Sequence, residues 1–219
     1  MFSYYNDFNF KNITSPKYRH LFLLFFWPIY ITAFVLTEKY VTPVYTVYCP
    51  LDDLIPFCEF FVIPYVLWYG FLAFVSLYTL FYDIAAFKKF YTFLSVTCII
   101  TFAIYIIFPN MQNLRPTEFE RDNILVDLMK GLYAADTNTN VCPSIHVIFS
   151  LGMLFTLWNT KHFKTIKMRA ISVAVTLLIC VATVFLKQHS VIDIFAGAAL
   201  SAVVFPFTFL NLKHKNKKD

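Results

Sequence analysis

An all-α bundle of six transmembrane helices, with one short amphipathic helix at its extracytoplasmic side, is the fold this sequence predicts. Three observations predict it. The 219 residues are 59% hydrophobic and 20% aromatic, only 14% are charged, and the mean hydropathy is +0.63. A soluble domain carries roughly 25% charge. Apolar runs recur along the chain, each near the roughly 20 residues a helix needs to cross a bilayer. Lys and Arg gather in short segments between those runs, where they act as topology signals. The net charge of +5 therefore does not point to nucleic acid.

The elements follow in order. Residues 1–18 read as a cytoplasmic N-terminal tail, and 19–210 as one membrane domain. The first span covers about 19–37, with Pro28 tolerated as a kink. Residues 38–58 form a loop with Asp52, Asp53 and three prolines. The second span covers about 59–82. A short loop, 83–90, carries Lys88 and Lys89, and the third span follows over 91–108. The longest polar stretch is 109–141. Thr117 and Glu120 fit a capping box there, just after Pro116. Ile124, Leu125, Leu128, Met129 and Leu132 then recur at helical spacing. Such a helix lies on the membrane surface or covers a site as a lid. Spans four, five and six cover about 142–159, 170–186 and 189–210. A basic loop separates spans four and five, and residues 211–219 form a basic tail. No internal repeat is visible. Cys98 and Cys180 sit in apolar runs and read as core. Cys49 and Cys58 share one loop and could pair in an oxidising compartment. No cleavable signal peptide is expected.

Placing both termini in the cytoplasm puts 13 of the 18 Lys and Arg residues inside and 5 outside. That asymmetry supports the orientation, with the plasma membrane as the expected location in a bacterium. It also gathers Arg115, His146 and His189 on the extracytoplasmic side. His20, His162 and His214 fall at the cytoplasmic edge and read as interfacial.

Chemistry concentrates in two stretches. In Lys187-Gln188-His189-Ser190-Val191-Ile192-Asp193, His189 and Asp193 are four apart and share a helix face. A carboxylate there holds the imidazole tautomer and stabilises its cation. In Cys142-Pro143-Ser144-Ile145-His146, Pro fits a helix's first turn, and the following N–H groups can bind an anion. Ser144 adds a hydroxyl, and Arg115 a planar fork suited to phosphate. Together these describe a phosphate site. His189, oriented by Asp193, attacks phosphorus. His146 protonates the leaving oxygen, then acts as base toward water or alcohol. Arg115, Ser144 and the helix N–H groups stabilise the equatorial oxygens. This chemistry needs no metal and no cofactor. Three other readings stay open: structurally paired histidines, a metal site from both histidines with Asp193 or Asp136, and a non-catalytic transporter or scaffold.

At these residues the chain resembles the type 2 phosphatidic acid phosphatase superfamily over roughly residues 60–210. These are six-span membrane enzymes with an extracytoplasmic site. Arg115-Pro116, Pro143-Ser144-Ile145-His146, and His189 with Asp193 stand in the family's order and spacing. Two family cations are missing: Phe108 stands where the first motif has Lys, and Ala182 and Thr183 where the third has Ser-Arg. Lys187 is a candidate replacement. The depleted pattern resembles the branch of inositol phosphorylceramide synthase and, more distantly, sphingomyelin synthase. The resemblance implies a membrane lipid substrate and a phosphohistidine intermediate. The expected activity is hydrolysis of a lipid phosphate of phosphatidic acid or polyprenyl phosphate type. The alternative is transfer of a phospho-headgroup to an alcohol or lipid acceptor. A diester carries less charge than a monoester, so fewer cations suffice for it.

Overall fold

The computed structural model describes residues 3–210, so the basic tail at 211–219 lies outside the described residues. The chain is all-α apart from a two-residue parallel ladder. Its helices are α1 (Phe26–Tyr40), α2 (Leu51–Leu54), α3 (Val62–Tyr82), α4 (Ile84–Ile107), α5 (Ile124–Ala135), α6 (Ile145–Asn159), α7 (Ile166–Phe185) and α8 (Val191–Phe209). Strand β1 (Tyr45–Thr46) pairs with β2 (Asn110–Met111), Tyr45 opposite Asn110.

Five helical stretches are long and apolar enough to cross a membrane among the described residues: Arg19–Tyr40, Glu59–Tyr82, Ile84–Ile107, Ile166–Phe185 and Val191–Phe209. The expected fourth span, α6, is a shorter apolar helix of 15 residues. That length rises about 22 Å, against a hydrocarbon core of about 30 Å. Its position explains why it need not be longer. α6 is the central helix, packed by α3, α4, α7 and α8. Val147, Ile148, Phe149 and Ser150 are fully buried. Two glycines allow this closeness. A Cβ on Gly152 would meet the Phe93 ring of α4 at 2.8 Å, and one on Gly197 would meet Ser144 O at 2.9 Å.

Three other expectations change. The loop at 83–90 shrinks to Asp83 alone. Its carboxylate accepts from Ala86 N at 3.0 Å and starts α4 at once. Lys88 and Lys89 then lie on α4, and Lys89 Nζ donates to Phe209 O at 3.0 Å. The capping box at Thr117 and Glu120 is not used. Asn123 caps α5 instead, accepting from Leu125 N and Val126 N. Val126 and Met129 form its buried face, while Ile124 and Leu128 are exposed. Met129 packs with Val62, Tyr65, Ala182 and Leu186, over the ends of α3 and α7. Finally, the N-terminal segment is folded rather than trailing. Tyr5 Oη donates to Leu80 O at 3.0 Å and lies 2.6 Å from His20 Nε2, and Tyr18 is buried. The 3-10 helix Arg19–Phe25 leads without a break into α1, and Pro28, three residues into α1, removes one N–H from that continuous stretch. Cys49 and Cys58 are both free.

Candidate active site

One end of the bundle collects the C-terminal ends of α1, α4 and α7 and the N-terminal ends of α3, α6 and α8, together with the ladder, α2 and α5. Here α7 ends in a Schellman motif: Lys187 N donates to Val184 O at 3.0 Å and Gln188 N to Thr183 O at 2.9 Å. Lys187 takes the left-handed backbone this motif requires, φ 51°, at a position that usually holds Gly. The turn delivers His189 to the head of α8. Ser190 caps α8 in a reciprocal box with Asp193, and Asp193 Oδ2 accepts from Ser190 N at 2.9 Å.

His189 Nδ1 donates to the same Asp193 Oδ2 at 3.1 Å, which leaves Nε2 as the free basic nitrogen. The ring of His146, in the first turn of α6, stands 5.8 Å from that of His189, centroid to centroid. Two aromatic rings of α3 hold His146, Tyr65 at 4.7 Å and Trp68 at 4.5 Å. Both histidines line a cavity of about 430 Å³. Its walls are aromatic on the α1 and α3 side and polar at Asp136, Asn140 and Gln188. Several buried polar atoms around it have no hydrogen-bond partner: His146 Nε2, Gln188 Nε2, Trp68 Nε1 and Arg115 Nε. Burial and the nearby Glu38 push the Asp136 carboxyl up to about 6.

The remaining sequence-derived residues sit differently. Arg115 is beside the cavity, but both of its terminal guanidinium nitrogens are committed, while Nε has no partner. It donates to the carbonyls of Tyr133, Asp136 and Thr137 and to Gln188 Oε1, and stacks 4.5 Å from the Tyr133 ring centre. Ser144 is fully buried and its Oγ accepts from Val147 N at 3.4 Å, as an N-cap. Lys187 Nζ donates to Asp52 O at 2.6 Å and to Ile55 O, away from the cavity. The structure therefore brings His146, His189 and Asp193 together, sets Arg115 beside them, and turns Ser144 and Lys187 to scaffold bonds. Among the described residues, no three His, Cys, Asp or Glu side chains gather as a metal ion requires.

Three positioning residues escape sequence reasoning. The fully buried Asp52 accepts from Cys49 N, Ser190 Oγ and Val191 N, tying the loop after α1 to the residues that follow His189. Asn110 Oδ1 accepts from Val141 N and Cys142 N, and its Nδ2 donates to Cys142 O. Gln112 Nε2 donates to Lys187 O at 2.9 Å. Their only sequence signal is a polar residue flanking apolar runs, which is no more than ordinary loop composition.

Residues 109–217 match the family model of the PAP2 superfamily. The match takes in Arg115, the Pro143–His146 stretch and the His189–Asp193 pair, while α1, α3 and α4 lie before it. No curated protein and no solved structure matches the chain.

Proposed function

Starting from a chain that belongs to the PAP2 superfamily, we propose that it is an integral membrane enzyme that cleaves a lipid phosphate through a covalent intermediate on His189. The observation that carries this reading is the His189–Asp193 pair: Nδ1 lies 3.1 Å from the Asp193 carboxylate, which can only accept, so Nε2 is the nitrogen available beside His146 in the cavity. In the first step His189 Nε2 attacks phosphorus and an N–P bond forms. The P–O bond to the leaving group breaks, and the leaving oxygen takes the proton carried by His146. In the second step water attacks the same phosphorus and gives its proton to His146. The N–P bond breaks, and inorganic phosphate leaves with His189 restored. Asp193 stabilises the positive charge on the His189 ring in both steps. The apolar flank of the cavity, including Trp27, Ile31 and Leu72, suits an acyl or prenyl chain.

A second reading, transfer to an alcohol acceptor, has its own support. Both candidate cations, Lys187 and Arg115, are spent on carbonyl oxygens. A diester with a single charge asks less of such a site than a monoester. The mechanism is the same, with an alcohol in place of water.

In the membrane we place α6 as the fourth of six crossings and the shortest, both termini in the cytoplasm, and the histidine end of the bundle outside. The charge asymmetry supports this. The test is a lipid panel offered to purified protein, scoring free phosphate against newly formed phospholipid, with acid-labile labelling of the protein as the intermediate's signature. His189→Gln should lose both turnover and labelling. Normal turnover by His189→Gln would overturn the mechanism.

A further inference from the structure

The cavity holds a group the mechanism above does not use. Asp136 lies on its wall with the two histidines, and a carboxylate in a phosphate site is a problem: it repels the substrate it faces. Its surroundings offer only partial relief: Arg115 and His189 favour its charge, while burial and Glu38 oppose it. Among the described residues no ion pair engages it. Arg115 donates to the backbone carbonyl of Asp136 and to those of Tyr133 and Thr137, not to its carboxylate. Glu38, at the end of α1, adds a second negative charge close by, held by Thr137 N at 3.2 Å and by Thr137 Oγ1 at 2.5 Å. The groups acting electrostatically on Asp136 from the surrounding elements are Glu38 from α1, Arg115 from the loop after β2, and His189 from the head of α8.

The rest of this wall is aromatic. Trp27 and Tyr30 of α1 and Tyr65, Trp68 and Tyr69 of α3 line the same cavity. Negative carboxylates beside electron-rich ring faces form the environment that recognises an ammonium group. The neutral polar residues nearby do not compete for this role, because they bond one another. Thr137 Oγ1 lies 2.8 Å from Thr139 Oγ1, and Asn140 Nδ2 donates to Thr139 Oγ1. Two buried donors on the cavity wall, Gln188 Nε2 and Trp68 Nε1, remain without partners, and both residues are less than 5% exposed. They suit the oxygens of a phosphate that accompanies the cation.

We infer that Asp136, aided by Glu38 and the aromatic wall, forms a subsite for an ammonium group carried close to the substrate's phosphate. This rests on the reading that the histidine pair handles a lipid phosphate. Two lipid classes share the chemistry: diesters with an amino-alcohol headgroup, and monoesters of a long-chain amino alcohol. Both place the nitrogen a short carbon linker from the phosphate ester oxygen. An ammonium at Asp136 and a phosphorus between the histidines satisfy both ends of the cavity's polar wall.

The test is equilibrium binding to the full-length protein in a sugar-based detergent, read by tryptophan fluorescence and independent of turnover. Two probe pairs differ only in the amine. Dihexanoylphosphatidylcholine is paired with its dimethylbutyl carbon isostere, and sphinganine 1-phosphate with its N-acetyl derivative. The ammonium member of at least one pair should bind about tenfold more tightly. The pair that shows the preference identifies the source. Asp136→Asn should reduce the ratio to within about twofold while leaving the amine-free probe's affinity almost unchanged, and Asp136→Glu should retain the preference. If Asp136→Asn does not fold, Glu38→Gln provides the reading, with the ratio falling by about threefold. A wild-type ratio within about twofold for both pairs overturns the inference, as does a preference that survives loss of Asp136. Tighter binding of an inositol headgroup lost on Asp136→Asn would also overturn it, assigning the wall to hydroxyls. Failure of the two readings is separable. An ammonium preference with no phosphate released or transferred from any lipid sinks the catalytic proposal alone. Turnover without the preference sinks this one alone.

Discussion

Asp52 supplies the sharpest test of how this site is held. Its carboxylate is fully buried and accepts three hydrogen bonds: Val191 N at 2.8 Å on Oδ1, and Ser190 Oγ at 2.6 Å and Cys49 N at 2.8 Å on Oδ2. Asp52→Asn can keep the two bonds on Oδ2 by placing its carbonyl there. Its amide nitrogen then faces the N–H of Val191, donor against donor. One charge-assisted bond, worth about 1.5–3 kcal/mol, is lost and a buried donor is orphaned, so the expected destabilisation is about 2–4 kcal/mol. Asp52→Ala orphans all three donors and should be worse, with about 5 kcal/mol a reasonable ceiling. Val191, whose bond is lost in either variant, and Ser190, whose bond is also lost in Asp52→Ala, directly follow His189. Turnover should therefore fall by about 10–100-fold in kcat with little change in KM, because a misplaced nucleophile is a loss of orientation. The control is Asp53→Asn, one residue on, whose carboxylate is exposed and takes only the Tyr48 hydroxyl. It should stay within about 0.5 kcal/mol of the parent. Denaturant unfolding and steady-state turnover, measured on both variants, give the answer. If Asp52→Asn and Asp53→Asn behave alike in both assays, Asp52 does not hold the His189 segment.

Further expectations follow from other contacts. Asp193→Asn keeps the shape of the His189 pair but removes its charge and tautomer control, so kcat should drop by about 10³–10⁴-fold, as for other carboxylate–imidazole pairs; full activity in a stopped assay would refute the pairing. Lys187→Met should destabilise the protein, because the carbonyls of Asp52 and Ile55 lose their ammonium donor, while KM for the lipid substrate stays level; a raised KM instead would restore Lys187 as a phosphate ligand. Asp136 has a folded pKa raised from 3.8 to about 6, so the folded state binds the extra proton, and stability falls as pH rises through that window and is flat above it. Asp136→Asn should therefore melt higher than the parent above pH about 6, by at most about 3 kcal/mol, with no advantage below pH about 4. Gly197→Ala should open α8 from α6, where Ser144 O lies only 2.9 Å from the new Cβ, and cost about 1–3 kcal/mol by thermal unfolding.

What could be read from the sequence divides along a physical line. Apolar length places most helices, because the bilayer sets one requirement for every span. It misplaces the start of α4, since two lysines read as a loop when they lie on a helix whose cap is a single Asp83. It overestimates α6, whose burial among four helices frees it from the length rule. His146, His189 and Asp193 were legible because titratable groups between apolar runs need a reason, and an i to i+4 spacing needs no tertiary knowledge. Asp52, Asn110 and Gln112 were not. Their partners lie 138, 32 and 75 residues away in the chain, and nothing local marks them. Lys187 was legible as unusual, but its purpose was not. Its backbone closes α7 and its ammonium anchors the loop at Asp52, two roles that only the folded neighbours reveal.

The missing family cations then take a definite meaning. Phe108, in the position of the first-motif Lys, stacks on Tyr45 at 4.3 Å beside the β1–β2 ladder, and Thr183 is fully buried with its hydroxyl on Cys180 O. Neither position could take up a cation without losing that packing. Lys187 and Arg115 hold carbonyl oxygens that shape the loops around the cavity. These two cations thus organise backbone, and the charged side chain left on the wall with the histidines is Asp136, among aromatic rings and the neutral Asn140 and Gln188. A doubly charged phosphate meets that wall unfavourably, whereas a substrate that brings its own positive charge is complementary to it. The absence of those two cations and the presence of Asp136 on the wall point the same way as the proposed ammonium subsite, toward a phosphate whose charge is partly neutralised within the lipid.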